Sequence, residues 1–264
     1  MTDDAPTIDT SVPHSARIWN YWLGGRDHYE VDREAGERYR AVFPGIADVA
    51  RASRAFMLRT VRYLAREAGI RQFLDIGTGL PDQESTHLAA QAIAPEARVV
   101  YVDNDPLVLA HARALLTSGP PGVTDYLDAD LRDPEGLLAA AGRVLDFSEP
   151  VGLILSGVLG HVTDDAEARS VVARLLAALA PGSHLSLNDG STAFSPAFGL
   201  AQRAYNESGA TPYVLRAPER IAAFFAGLEP VPPGVLPVPH WRPETNGSGP
   251  SRGFEVIGGV GRKP

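Results

Sequence analysis

The sequence predicts an α/β fold, a mostly parallel sheet of seven strands with helices on both faces, preceded by a helical extension over residues 1–69. Three observations predict it. Short apolar runs alternate with helix-like patterns from Gln72 to Asn188, the rhythm of repeated β-α units. The run from Val151 to Ser156 is apolar nearly throughout, as expected of a strand covered on both sides. The segments between strands open with helix-start signals, Asp105-Pro106, Asp133-Pro134 and Asp164 with Glu167.

Taken in order, residues 1–12 read as a loose polar tail. From His14 to Tyr39 the aromatics Trp19, Tyr21, Trp22, Tyr29 and Tyr39 mix with Arg17, Arg26, Arg33 and Asp27 around Gly24-Gly25. That pattern predicts a helix, a glycine break and a second helix, the aromatics serving either as packing or as a lid over a ligand. Apolar positions from Ile46 to Ala68 recur at helical spacing, and Gly69 supplies the stop. Strands follow at Gln72–Ile76, Arg98–Val102, Thr124–Leu127, Val151–Ser156 and His184–Asn188. Helices lie between them, the first over Glu84–Ala94 and stopped by Pro95. After Asp189 the pattern gives helices at Phe198–Glu207 and Pro218–Ala226. Two last strands follow at Val235–Val238 and Phe254–Val260, joined by a polar loop from Arg242 to Arg252. No linker interrupts the chain past Gly69, so residues 70–264 read as one domain carrying the extension.

Composition narrows the function. A net charge of −8 disfavours broad contact with phosphate backbones, so nucleic acid is not an expected partner. The chain has no cysteine, which removes disulfides, thiolate metal sites and thiol nucleophiles, and no metal is expected. Met1 to Thr10 lacks a secretion signal, and the greasiest run, Val151 to Val162, is too short to span a bilayer. The expectation is a cytoplasmic protein with no membrane partner.

The strongest motif is Asp75-Ile76-Gly77-Thr78-Gly79, a strand running into a glycine turn with a helix beyond it. A dinucleotide fingerprint would want a third glycine where Asp82 stands, and a pyrophosphate would be repelled by Asp75. A ligand with a cationic end suits that carboxylate. The next strand ends in Asp103, about two dozen residues beyond Gly79, near the ~20-residue spacing at which an acid accepts ribose hydroxyls. After the third strand comes Asp128-Ala129-Asp130-Leu131, and after the fourth Ser156-Gly157-Val158-Leu159-Gly160-His161.

Asp-x-Gly-x-Gly after a first strand resembles the first motif of class I S-adenosylmethionine methyltransferases. Over nearly the whole chain the sequence resembles the S-adenosyl methyltransferase family known mainly from actinomycetes. That likeness runs from Ser15-Ala16-Arg17-Ile18-Trp19-Asn20-Tyr21-Trp22-Leu23-Gly24-Gly25-Arg26-Asp27 through Leu179-Ala180-Pro181-Gly182-Ser183 to Tyr205-Asn206 and Trp241-Arg242-Pro243. The resemblance implies a Rossmann-like fold and S-adenosyl-L-methionine as cofactor. It places Asp75, Gly77 and Gly79 at the aminopropyl end, Asp103 on the ribose and Asn104 beside the adenine. Asp130 and Leu131 then hold the adenine edge, with Asp128 as the other register, and Ser156 and Gly157 line the methionine end. Tyr21 and Arg26 could cover the cofactor's carboxylate. Candidates for contact with a methyl acceptor, expected to be a small molecule, are His161, Asp189, Tyr205 and Tyr213, each with packing as an equal reading. A cofactor-binding regulator without catalysis and a nicotinamide-dependent oxidoreductase are the competing functions.

Overall fold

The computed structural model describes residues 9–80, 84–115, 118–243 and 253–264. Most of the loop expected from Arg242 to Arg252 and the tail before Asp9 lie outside these residues.

The centre of the molecule is β1 (Gln72–Ile76), buried along its whole length. It pairs in parallel with β2 (Arg98–Asp103) on one side and β4 (Gly152–Ser156) on the other. β3 (Val123–Asp128) extends the sheet beyond β2, and β5 (His184–Gly190) beyond β4. The strand order therefore reverses between β1 and β4, and a crevice opens there at the carboxyl ends of the strands. β8 (Val256–Arg262) returns antiparallel along β5.

Side chains alternate across the sheet and divide the core in two. Phe73, Val99, Tyr101 and Ile154 face one side, where they pack with Phe56, Met57, Val61 and Leu64 of α3 (Ile46–Arg66). Leu74, Ile76, Val100, Leu153 and Leu155 face the other, against Leu137 of α6 (Pro134–Ala141) and Val171, Val172 and Leu175 of α7 (Asp165–Ala178). α3 is thus a layer of the core. Each fully buried Leu, Ile or Phe contributes roughly 1.5–3 kcal/mol.

The predicted helix starts operate as capping side chains. Asp105 accepts from Leu107 N (2.8 Å) at the head of α5 (Pro106–Leu115). Asp133 accepts from Gly136 N ahead of α6, and Asp164 from Glu167 N ahead of α7. Gly69 ends the α3 segment at φ +70°. α4 (Thr86–Gln91), α8 (Pro196–Asn206) and α9 (Pro218–Ala222) complete the helices on the sheet. The N-terminal block forms α1 (Ser15–Trp22) and α2 (Glu30–Val42), separated by the glycine break.

Among the described residues the sheet has eight strands where seven were expected. The additional one, β6 (Glu229–Pro230), is an exposed two-residue edge on β8, too short to carry an alternation. The expected strand at Val235–Val238 is β7 (Leu236–Pro237), which pairs with β8. Among the described residues no helix is long and apolar enough to cross a membrane.

Candidate functional site

The turn after β1 is built by two glycines with distinct tasks. Gly77 has φ +76°, and a Cβ there would lie 2.5 Å from Val158 Cγ2, so the backbone nests against the loop after β4. Gly79 has φ +65° and nothing within 4 Å of a built Cβ, so its backbone faces open space. Its N–H donates to Asp103 Oδ2 (2.9 Å), which ties the turn to the tip of β2. Asp103 Oδ1 accepts from Asp105 N (3.0 Å). Each carboxylate oxygen thus keeps a lone pair for a further donor.

Above these strand tips lies a cavity of about 260 Å³. Asp75, Gly77, Gly79, Asp103 and Asn104 line it from β1 and β2. Asp130 and Leu131 line it after β3, and Ser156 and Gly157 after β4; Asp128 does not. His161, Tyr205 and Tyr213 also reach it. One cavity therefore gathers most of the residues singled out in the sequence.

Besides Asp128, three of them stand elsewhere. Tyr21 lies outside the wall, with its hydroxyl on Glu37 and its ring edge-on to His28 at 5.0 Å. Arg26, in the break between α1 and α2, is exposed and does not line the cavity. Asp189 lies behind the wall, where Tyr213 donates to it and the Arg216 guanidinium sits 3.3 Å away. The N-terminal block approaches the cavity through other side chains, His14, Ile18, Trp19, Asn20 and Trp22.

Those helices are fastened by buried charge. Arg17 and Asp32 pair at 2.8 Å with 3% and 0% exposure, and Asp32 also accepts from His14 N and Tyr29 N. His14 Nδ1 lies 2.8 Å from Asp105 Oδ2, so the segment entering α1 is held at the tip of β2. Two residues at the site carried no sequence signal. Arg54 lines the cavity from α3, but that helix bears several arginines and periodicity does not say which one faces a ligand. Arg216, with 1% exposure, donates to Leu159 O (2.9 Å) and Val162 O (2.5 Å) and pairs with Asp165 and Asp189. It thereby fixes the turn that carries His161.

Electrostatics at the strand tips follow from burial. Burial pushes Asp75 up to about 6, against the Thr86 hydroxyl that donates to Oδ2 (2.6 Å) and the nearby Arg54 charge. Asp75 Oδ1 has no hydrogen bond among the described residues. Burial also raises Asp103, offset by the N–H groups of Gly79 and Asp105. Asp189 is raised to about 6 by burial, opposed by Tyr213 and Arg216. Burial lowers His161, and the Pro212 carbonyl opposes that shift.

The site thus offers an anion and a cation, Asp75 and Arg54, at one end of the turn and a second carboxylate, Asp103, at the other. This donor set fits an adenosine that bears an amino-acid tail, and the open space beside the Gly79 backbone leaves room for its close approach. Among the described residues no cluster could hold a metal ion.

Comparison with known proteins bears on the family and the fold. A DUF574 family protein from Streptomyces avermitilis MA-4680 is 42% identical, with TM-score 0.93 over 98% of this chain and 100% of that one. A candidate methyltransferase from Thermobifida fusca YX is 38% identical, with TM-score 0.89 over 100% and 99%. Human N-acetylserotonin methyltransferase, in complex with S-adenosylmethionine, shares 14% identity and the fold, with TM-score 0.51 over 94% and 66%. No curated protein matches the sequence. The family described as S-adenosyl methyltransferase matches residues 1–264, and the chain belongs to it: it is an S-adenosylmethionine-dependent methyltransferase.

Proposed function

We propose that this methyltransferase acts on a small organic acceptor held between the strand tips and the N-terminal helices. The observation that carries the reading is the pair of carboxylates, Asp75 and Asp103, flanking the Gly77–Gly79 turn inside one cavity. Asp75 takes the cofactor's ammonium, and Arg54, in place of Arg26, takes its carboxylate. Asp103 accepts the ribose hydroxyls, with Asn104, Asp130 and Leu131 around the adenine. Ser156 and Gly157 line the methionine end.

The bound cofactor supplies a methyl group already activated on a sulfonium. The protein's work is to align the acceptor with it and to keep water out, which is worth on the order of 7–11 kcal/mol. α1 and α2 do the excluding, so residues 1–69 comprise a lid as well as the core helix α3. A cavity overhung by Trp19 and Trp22 suits a small molecule better than a polymer.

Calorimetry with S-adenosylhomocysteine tests the reading. Arg54→Gln is expected to weaken this ligand at least tenfold while leaving methylthioadenosine, which lacks the amino-acid tail, unchanged. Equal losses for both ligands would remove Arg54 from the role, and no binding of either would remove the site.

A further inference from the structure

The cavity changes character away from the strand tips. Its charged lining residues are Asp75, Asp103, Asp130, Arg54 and Arg132, with His14 and His161. Apart from Arg54 of α3, the wall from α1, α2, α3, β5 and α8 has no ionised side chain among the described residues. It is aromatic instead. Trp22 meets Trp19 at 5.7 Å and Tyr39 at 5.0 Å, and Tyr39 meets Phe198 at 6.2 Å and Tyr205 at 6.3 Å, all edge to face.

Most polar atoms of that wall are spent on one another. Asn188 donates to Ser53 Oγ (2.7 Å) and accepts from Ser156 Oγ (2.8 Å). Tyr39 donates to Gln202, which donates to Asn206. Tyr213 donates to Asp189 and accepts from Gly190 N (3.0 Å). A charged acceptor would lose its hydration against such a surface and gain no counter-charge.

His161 is the exception. Its Nδ1 lies 2.9 Å from Pro212 O, and a carbonyl can only accept, so Nδ1 carries the hydrogen. A neutral ring then leaves a lone pair on Nε2. The ring stands edge-on to Tyr213 at 5.1 Å and 83°, and Arg216 pins its turn, so its orientation is fixed. The charged or titratable groups facing it are Arg132, whose guanidinium donates to His161 O (2.6 Å), His14 and Tyr213, with Asp189 and Arg216 behind. Burial, with the Arg132 guanidinium adding to it, favours the neutral ring.

We infer that the acceptor is an uncharged, largely aromatic molecule with an ionisable hydroxyl, and that Nε2 of His161 takes the proton from that hydroxyl. The inference rests on the methyl-transfer reading above. As the acceptor's O–H bond breaks, its proton goes to Nε2. The oxygen bonds to the methyl carbon, and the carbon–sulfur bond opens with its electron pair left on sulfur. The imidazolium then returns its proton to water. A general base of this kind contributes about 10²–10⁴ in rate.

The test uses full-length protein saturated with S-adenosylhomocysteine, whose binding by calorimetry first checks the earlier reading. Naphthol, naphthoate and naphthylmethylammonium are then titrated against tryptophan fluorescence. Naphthol should bind at least tenfold more tightly than either charged analogue. With methyl-labelled cofactor the wild type should label naphthol oxygen. His161→Gln should cut kcat by 10²-fold or more with KM little changed, and remove the acidic limb of the pH profile. Nitrogen NMR should show an unprotonated Nε2 at neutral pH. Tighter binding of a charged analogue, bound naphthol left unmethylated, a protonated Nε2, or full kcat in His161→Gln overturns the inference while leaving the cofactor site standing. Failure to bind S-adenosylhomocysteine overturns both.

Discussion

Asp75 is a buried carboxylate in the wall of the cavity. Its carboxyl is raised from 3.8 to about 6, so the folded state holds its proton across a window where the unfolded chain has released it. The sign follows: the cost of burying the ionised group is absent below pH ~4 and grows as pH rises through about 6. Asp75→Asn should therefore stabilise the ligand-free protein by ~1–3 kcal/mol at pH 7 and by nothing at pH 4, in paired denaturant titrations. The same ionisation is needed to receive an ammonium. S-adenosylhomocysteine affinity should thus fall up to tenfold per unit below pH about 6 in the wild type, and Asp75→Asn should bind weakly without that dependence. A parallel slope in both proteins would assign the proton to another group. Gly77 gives a second prediction. Alanine there meets Val158 at 2.5 Å in a left-handed conformation, and a loss of ~2–3 kcal/mol is expected by the same titration. At this scale the sequence was readable wherever a residue sat at a strand tip, because β periodicity fixes where each strand ends. Asp75 and Asp103 could be placed at the cavity for that reason, whereas Asp130, past the end of β3, rested on the family resemblance, with Asp128 as its rival. Arg54 was not, since facing the cavity depends on how a long arginine-rich helix is rotated against the sheet. Arg26 stands outside the cavity wall: a charge beside a glycine break suggests a ligand, and nothing local says which way the break turns.

Among the elements, the N-terminal helices are joined by one buried ion pair. Arg17 and Asp32 are both out of water, and removing one partner of such a pair costs roughly 3–5 kcal/mol because the other is left buried alone. Arg17→Met should release α1 and α2 with α3 and the sheet intact. Hydrogen exchange would show lost protection confined to residues before Ile46, together with weaker S-adenosylhomocysteine binding. Unchanged protection in α1 would mean that the aromatic packing of Trp22 on Tyr39 suffices. Aspartate-proline starts made α5 and α6 legible, because the cap and the ring act within one turn. β6 could not be read, since its pairing partner lies some thirty residues further on and two residues hold no pattern.

For the molecule as a whole, a ligand that binds only the folded state raises its stability by mass action. S-adenosylhomocysteine at about a hundredfold excess over Kd adds ~2.7 kcal/mol, so Tm should rise by about 5–10 °C. A nicotinamide dinucleotide should leave Tm unchanged, and a shift of equal size with it would contradict the chemistry assigned to Asp75. The sheet order carries a further consequence for how the chain matures. β8 stands inside the sheet, between β5 and β6, yet follows every other strand in the chain. While the polypeptide is being synthesised, β5 must wait with an unpaired edge until Val256–Arg262 has left the ribosome, and β6 and β7 have nothing to join before then. Chaperone demand should therefore persist until residues 256–262 have emerged, at lengths that already include Asp75, Asp103, Asp130 and His161 of the cavity wall.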